Sequence, residues 1–310
     1  MALDEIMEKI LLKRNQEARQ PVHELSPTQA REQERLEGST HKAPDKYTVT
    51  DRLVPGLQGN LTARIYTPKG DGPFPILIWL HGGGWVTGDL DLSQTTPINL
   101  CTQANYVVAS VGYRLAPETK FPGPVEDCYA AAAWIRDNAI NLNGIPGKVC
   151  IGGSSAGGNL AAAVCLMTRD RGAQQFLFQL LIYPVTSSTT ETESYQLYSS
   201  GYGLEKESMD WFIRQYLNDE QDLLNPYAMP LNATNLEGLC AAMIITAECD
   251  PLRDEGEAYA HRLRRANIPT DYACYSGMVH GFFSMTDILP QSRDAVAAVV
   301  TKLTALAKET

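Results

Sequence analysis

The chain predicts an α/β fold: a mostly parallel central sheet with helices on both faces. Three observations predict it. Short, near-continuous apolar runs at residues 74–80, 148–152, 178–185 and from 241 onward have the make-up of strands buried on both faces. Longer stretches with helical patterning fall between and after them, at 124–138, 156–171, 253–267 and 292–308. Strands that alternate with helices pair side by side through helical crossovers, which covers both faces of a parallel sheet. Third, 310 residues with 44% hydrophobic content can bury the core of one large domain plus a small cap.

The segment 148–152 leads straight into Gly153-Ser154-Ser155-Ala156-Gly157, and a helix-like run follows. A serine on a glycine-flanked turn from strand to helix forms a nucleophile elbow. The turn is so tight that its flanking positions need residues without a Cβ. With Ser155 as nucleophile the flanking positions are Gly153 and Gly157. With Ser154 they are Gly152 and Ala156, and the Ala156 Cβ crowds the turn, so the frame favours Ser155. No Lys-Ser/Thr follows, which excludes a phosphate loop, and the third-position glycine of a dinucleotide fingerprint is missing.

The strand-like run 74–80 ends in His81-Gly82-Gly83-Gly84-Trp85. Three glycines after a buried strand expose backbone N–H groups that can approach a substrate carbonyl and bind a developing oxyanion. A serine hydroxyl also needs a base, and the base needs an orienting acid. After an elbow the acid and then the histidine follow in chain order, which removes His23, His41 and His81. His261 lies in a stretch rich in Arg, Ala and Glu that reads as an exposed helix. His280 lies on a glycine-flanked loop just past the strand-like run 270–275, where sites collect, and is the predicted base. Asp250 follows the strand beginning at 241, and Pro251 stops that strand. It is the predicted acid, ahead of Glu248, which lies nearer the strand, and of Asp254, which fits the N-terminus of the next helix.

These blocks carry a resemblance. His81–Trp85, Tyr113-Arg114-Leu115-Ala116-Pro117-Glu118, the serine elbow, Asp250-Pro251-Leu252-Arg253-Asp254-Glu255-Gly256 and His280-Gly281-Phe282 stand in the order found in the bacterial hormone-sensitive-lipase-like carboxylesterases. The chain resembles that branch of the α/β-hydrolase fold from about residue 60 to 285. It departs at Ser154, where those enzymes usually carry Asp or Thr. The resemblance implies a carboxylesterase acting on short- to medium-chain acyl esters, with Ser155 attacking, His280 as base and Asp250 orienting it. It implies an oxyanion hole from the N–H groups of Gly83, Gly84 and Ala156, and no metal or organic cofactor. An amidase or deacetylase shares every one of these residues. Non-catalytic receptors similar to this branch lose a triad member, whereas all three positions are filled here.

Two regions lie outside the shared blocks. Leu3, Ile6, Met7, Ile10 and Leu11 fall at i, i+3, i+4, i+7 and i+8, one stripe of an amphipathic helix, and a second helical pattern covers residues 26–36. Residues 187–225 open with a Ser/Thr/Glu-rich loop and continue as a helix containing Trp211, Phe212, Ile213, Tyr216 and Leu217. The resemblance implies that residues 1–50 and this insertion form a helical cap whose apolar residues line the pocket of a hydrolase domain spanning 51–310. Arg114 and Glu118 read as structural, in an ion pair or as a helix anchor.

The remaining expectations concern surroundings. Seven scattered cysteines, an odd number, point to reduced thiols in a cytoplasm. The acidic start Met1-Ala2-Leu3-Asp4-Glu5 lacks the pattern of a signal peptide, and no apolar run reaches the ~18–20 residues of a membrane span. A net charge of −10 disfavours nucleic acid and anionic membranes and suits small neutral substrates. A homodimer is compatible with the resemblance.

Overall fold

The computed structural model describes residues 3–17, 19–37 and 46–308; His41 and part of the polar stretch before residue 51 lie outside them. Eight strands form one sheet among the described residues, in the order β1-β2-β4-β3-β5-β6-β7-β8. They are β1 (Tyr47–Gly56), β2 (Gly59–Pro68), β3 (Phe74–Leu80), β4 (Val107–Gly112), β5 (Gly144–Ser154), β6 (Phe178–Ile182), β7 (Ala241–Cys249) and β8 (Thr270–Val279). β1, β2 and β4 pair antiparallel, and every pair from β4 through β8 is parallel.

β3 explains why an unbroken apolar run makes a central strand. All seven of its residues are buried. Ile76, Ile78 and Leu80 join the core on one face, while Leu77 and Trp79 join the core on the other. The period of two divides a single run between two hydrophobic layers. Helices α4 (Gly123–Asp137), α5 (Ala156–Asp170) and α8 (Arg253–Arg265) cover the first face, and α3 (Thr95–Ala104) and α9 (Pro290–Lys308) cover the second.

β5 is longer at both ends than the run read at 148–152, and two further strand ends differ for local reasons. β6 stops at Ile182 rather than 185, because Tyr183 turns to φ +35°. β8 runs on to Val279 past Gly277, at φ +68°, where the β7–β8 register shifts. There the Glu248 carboxylate accepts the Gly277 N–H at 2.8 Å in place of a ladder partner.

α1 (Glu5–Gln16) is capped by Asp4, whose side chain accepts the N–H groups of Ile6 and Met7. Met7 and Leu11 are buried, four residues apart on one face, whereas Ile6 is 36% exposed to the side of the predicted stripe. α2 (Pro27–Glu37) opens with a reciprocal exchange: Ser26 N–H donates to Gln29 Oε1 and Gln29 N–H to Ser26 Oγ. The insertion holds a short α6 (Glu193–Tyr198) inside the predicted loop, then α7 (Lys206–Tyr216).

Candidate active site

The serine elbow is a backbone-on-backbone fit. A Cβ on Gly157 would lie 2.0 Å from the Leu80 carbonyl oxygen, and one on Gly153 2.3 Å from that of Gly157. Both distances are far inside contact, so only glycine lets β3, β5 and α5 converge here. Ser155 sits between them at φ +57°, ψ −122°, a conformation that a side chain adopts only when its surroundings enforce it. Its N–H donates to Ile182 O at 2.9 Å, so the end of β6 holds the turn.

The structure brings together the three predicted side chains from separate strand ends. His280 Nδ1 lies 2.7 Å from Asp250 Oδ2, and its Nε2 lies 2.9 Å from Ser155 Oγ. A carboxylate only accepts, so Nδ1 carries the proton and Nε2 is left to accept from the serine hydroxyl. Asp250 is fully buried, and its other oxygen accepts the Leu252 N–H at 3.0 Å. Ser154 ends β5 outside this line, and Glu248 is occupied by Gly277. Asp254 lies in the first turn of α8 and accepts the Ser194 N–H. His261 is exposed on α8, 3.6 Å from Glu257.

The glycine loop faces the same space. Gly82, Gly83 and Gly84 line a cavity of about 630 Å³ together with Ser154, Ser155 and His280. Gly83 and Gly84 take φ +107° and +56°, and even Trp85 is left-handed at +62°. Ala156 begins α5, where the first N–H groups lack intrahelical acceptors. His81 is no base in this arrangement. Burial pulls its pKa down, its Nδ1 lies 2.7 Å from Gly82 O, and its ring stacks on Tyr113 at 4.3 Å.

A scan against protein-family models matches residues 77–284 to a family described as the alpha/beta hydrolase fold. The ethyl acetate hydrolase of Pseudomonas putida is 35% identical over 295 residues, 91% of each chain. The chain belongs to the hormone-sensitive-lipase-like branch of the α/β hydrolases. The carboxylic ester hydrolase LipN of Mycobacterium tuberculosis is 44% identical over 243 residues; the match spans 76% of this chain but 65% of that protein. Among solved structures, a thermostable esterase from Pseudomonas putida ECU1011 superposes with a TM-score of 0.95 at 30% identity, covering 100% of this chain and 99% of that one.

Seen as an α/β hydrolase, the chain holds several residues around the candidate site to which the sequence reading gave no role. Tyr183, strained just beyond β6, places its ring 4.5 Å from the His280 ring and lines the cavity. Asn159 accepts from Trp85 Nε1 and donates to the carbonyls of Val185 and Ala228, which joins the glycine loop to the segment after β6 and to a turn ahead of β7. Glu255 is buried, accepts the N–H groups of Thr186 and Ser187, and has its pKa pushed up by burial to about 8. The signal for Tyr183 and Asn159 lay in the neighbourhood of marked motifs; Glu255 stood, without a role of its own, inside the block from Asp250 to Gly256.

Other expectations need correction. Arg114 and Glu118 each stand in an ion pair, as the structural reading has it, but with other partners rather than with each other. Arg114 forks onto buried Asp127 at 2.7 Å, while Glu118 meets Arg31 of α2. Of the five apolar residues named in the insertion, Phe212 lines the cavity, joined by Leu204. Trp211, Ile213, Tyr216 and Leu217 pack into the core instead. From the N-terminal helices the cavity receives Ile10, Arg14 and Glu34, two of them charged. No helix among the described residues is long and apolar enough to cross a membrane.

Proposed function

We propose that the protein is a carboxylesterase that hydrolyses short- to medium-chain acyl esters through an acyl-enzyme on Ser155. One observation carries this reading: the hydrogen-bonded line from Asp250 through His280 to Ser155, opening on a cavity that three glycines also line. The reaction class is supported by the esterases to which the chain is similar.

In the reaction, Ser155 Oγ attacks the ester carbonyl carbon as His280 Nε2 takes its proton. Asp250 holds the imidazole with Nδ1 protonated and stabilises the imidazolium that forms. The carbonyl oxygen becomes an oxyanion facing the N–H groups of Gly83, Gly84 and Ala156. One such donor is worth about 3 kcal/mol in a water-poor site. Collapse of the intermediate breaks the C–O bond, and the leaving alcohol takes the proton from Nε2. Water then attacks the acyl-enzyme along the same path and releases the acid.

The cavity has the volume of a small-molecule site. Phe212, Leu204 and Ile10 give it apolar wall for an acyl chain, and α1, α7 and the bend before α7 that supply them form the cap in this reading. The net charge of −10 favours neutral substrates. We place the enzyme in the cytoplasm, supported by seven free thiols, and propose a homodimer on the family resemblance alone. The test is a rate profile over p-nitrophenyl esters of increasing chain length with wild type and Ser155→Ala. The expected result is a maximum at short to medium chains and a loss of about 10⁴-fold or more in the variant. Substantial turnover by Ser155→Ala refutes the nucleophile.

A further inference from the structure

We propose that α2 is a positioning element for the oxyanion glycines, acting through Arg31 and Glu34. The inference rests on the esterase reading, in which Gly83 and Gly84 bind the oxyanion.

Each of the two side chains reaches a glycine through a single loop residue. Arg31 Nε donates to Val86 O at 2.8 Å, and the Val86 N–H donates to Gly83 O at 3.0 Å. Glu34 Oε2 accepts the Gly88 N–H at 2.7 Å. Gly88 in turn lies so close to Gly82 that a Cβ there would be 2.7 Å from the Gly82 carbonyl oxygen. Gly82 itself abuts the elbow: its Cβ would lie 3.4 Å from that of Ser155. Two contact chains, Arg31–Val86–Gly83 and Glu34–Gly88–Gly82, therefore run from one helix face to the catalytic loop.

The loop has reason to need them. Four glycines among residues 82–88 give it large conformational freedom, and an oxyanion hole works only when its donors are fixed before charge appears. Arg31 also donates to Ala116 O at 2.8 Å, and Ala116 N–H donates to Trp85 O at 2.9 Å, which ties down the next loop residue. The outer arm of Arg31 meets Glu118, which is 62% exposed; such a pair contributes little by itself. The carbonyl bonds are the part that bears on catalysis.

The experiment compares Glu34→Ala, Glu34→Gln and Arg31→Lys with wild type on p-nitrophenyl butyrate. It adds inhibition by a trifluoromethyl ketone, whose adduct with Ser155 carries an oxyanion, and by the unreactive methyl ketone of the same shape. Glu34→Ala is expected to lower kcat about tenfold with KM within about twofold, because the loss falls on the transition state. Trifluoromethyl ketone affinity should drop by the same factor and methyl ketone affinity should hold. Glu34→Gln keeps an acceptor for Gly88 and should stay within about threefold of wild type. Should Glu34→Ala not fold, Arg31→Lys carries the test, since lysine cannot fork to both carbonyls and should show the same split. A raised KM with unchanged kcat, or a kcat loss without weaker trifluoromethyl ketone binding, overturns the proposal. Failure of the esterase reading is separate: it appears as turnover by Ser155→Ala, whatever the α2 variants do.

Discussion

The serine elbow and the glycine loop are both glycine-rich turns at the ends of neighbouring parallel strands, yet they are held in opposite ways. The elbow is locked by backbone against backbone, with Gly153, Gly157 and the Leu80 carbonyl in mutual contact within the sheet. The loop is held by side chains from distant segments. Arg31 and Glu34 come from α2, the Phe212 ring fills the space where a Gly84 Cβ would stand, and Trp85 stacks on Tyr216 of α7 at 4.3 Å. A backbone lock cannot relax, because strands have nowhere to move. A side-chain clamp can be loosened one contact at a time, which makes the loop the tunable half of the site.

The sharpest break in this comparison is Gly157→Ala. With Cβ 2.0 Å from Leu80 O and 2.4 Å from His81 O, the variant is expected to lose more than about 4 kcal/mol of stability or to fail to fold. Soluble yield and urea unfolding read this out, and a folded, active Gly157→Ala protein would show that the elbow is not locked. Gly84→Ala comes next. Its Cβ meets the Phe212 ring at 2.2 Å and its φ is +56°, so the expected result is a folded protein with kcat lower by about 10²-fold. Adding Phe212→Ala removes the clash and should recover part of the rate, leaving the strain of the left-handed backbone. No recovery at all would mean that the clamp side chain does not govern the loop.

A third test, away from both turns, lies behind the acid loop at Glu255. Its carboxyl has a pKa raised from 4.5 to about 8 by burial. The folded protein therefore holds a proton that the unfolded chain gives up above pH 4.5. Stability falls as pH rises from about 4.5 to about 8, and levels off beyond. Glu255→Gln keeps an oxygen for the Thr186 and Ser187 N–H groups and removes the titration. Relative to wild type it should gain stability between urea unfolding at pH 5 and at pH 9, since any fixed packing cost cancels between the two. An identical difference at both pH values would refute the assignment.

Much of the site was legible in the chain because its groups announce themselves by local chemistry. Ser155, Asp250 and His280 each stand at the end of an apolar run, beside a glycine or proline that stops it, and the structure joins them within hydrogen-bond distance. β3, β6 and β7 were equally plain, since a run buried on both faces has a composition that a loop does not; β4, just as buried, was not among the runs read. Arg31, Glu34 and Tyr183 carry no such mark. Arg31 and Glu34 read as ordinary charges in a helical stretch, and Tyr183 as part of a strand running to 185. The pairing of Arg114 with Asp127 was also hidden, because thirteen residues separate partners that a turn of chain brings together.

The sequence alone indicated the α/β class, the runs that became β3, β5, β6, β7 and β8, the elbow frame and the three candidate triad residues, because these follow from periodicity, missing Cβ atoms and side-chain chemistry within a few residues. Tertiary structure decided which charges meet the glycine loop, which aromatic of α7 faces the cavity and which packs inward, and why Tyr183 abandons its strand. Those outcomes depend on where separate elements land against one another, and packing of that kind is a property of the whole core rather than of any stretch of chain.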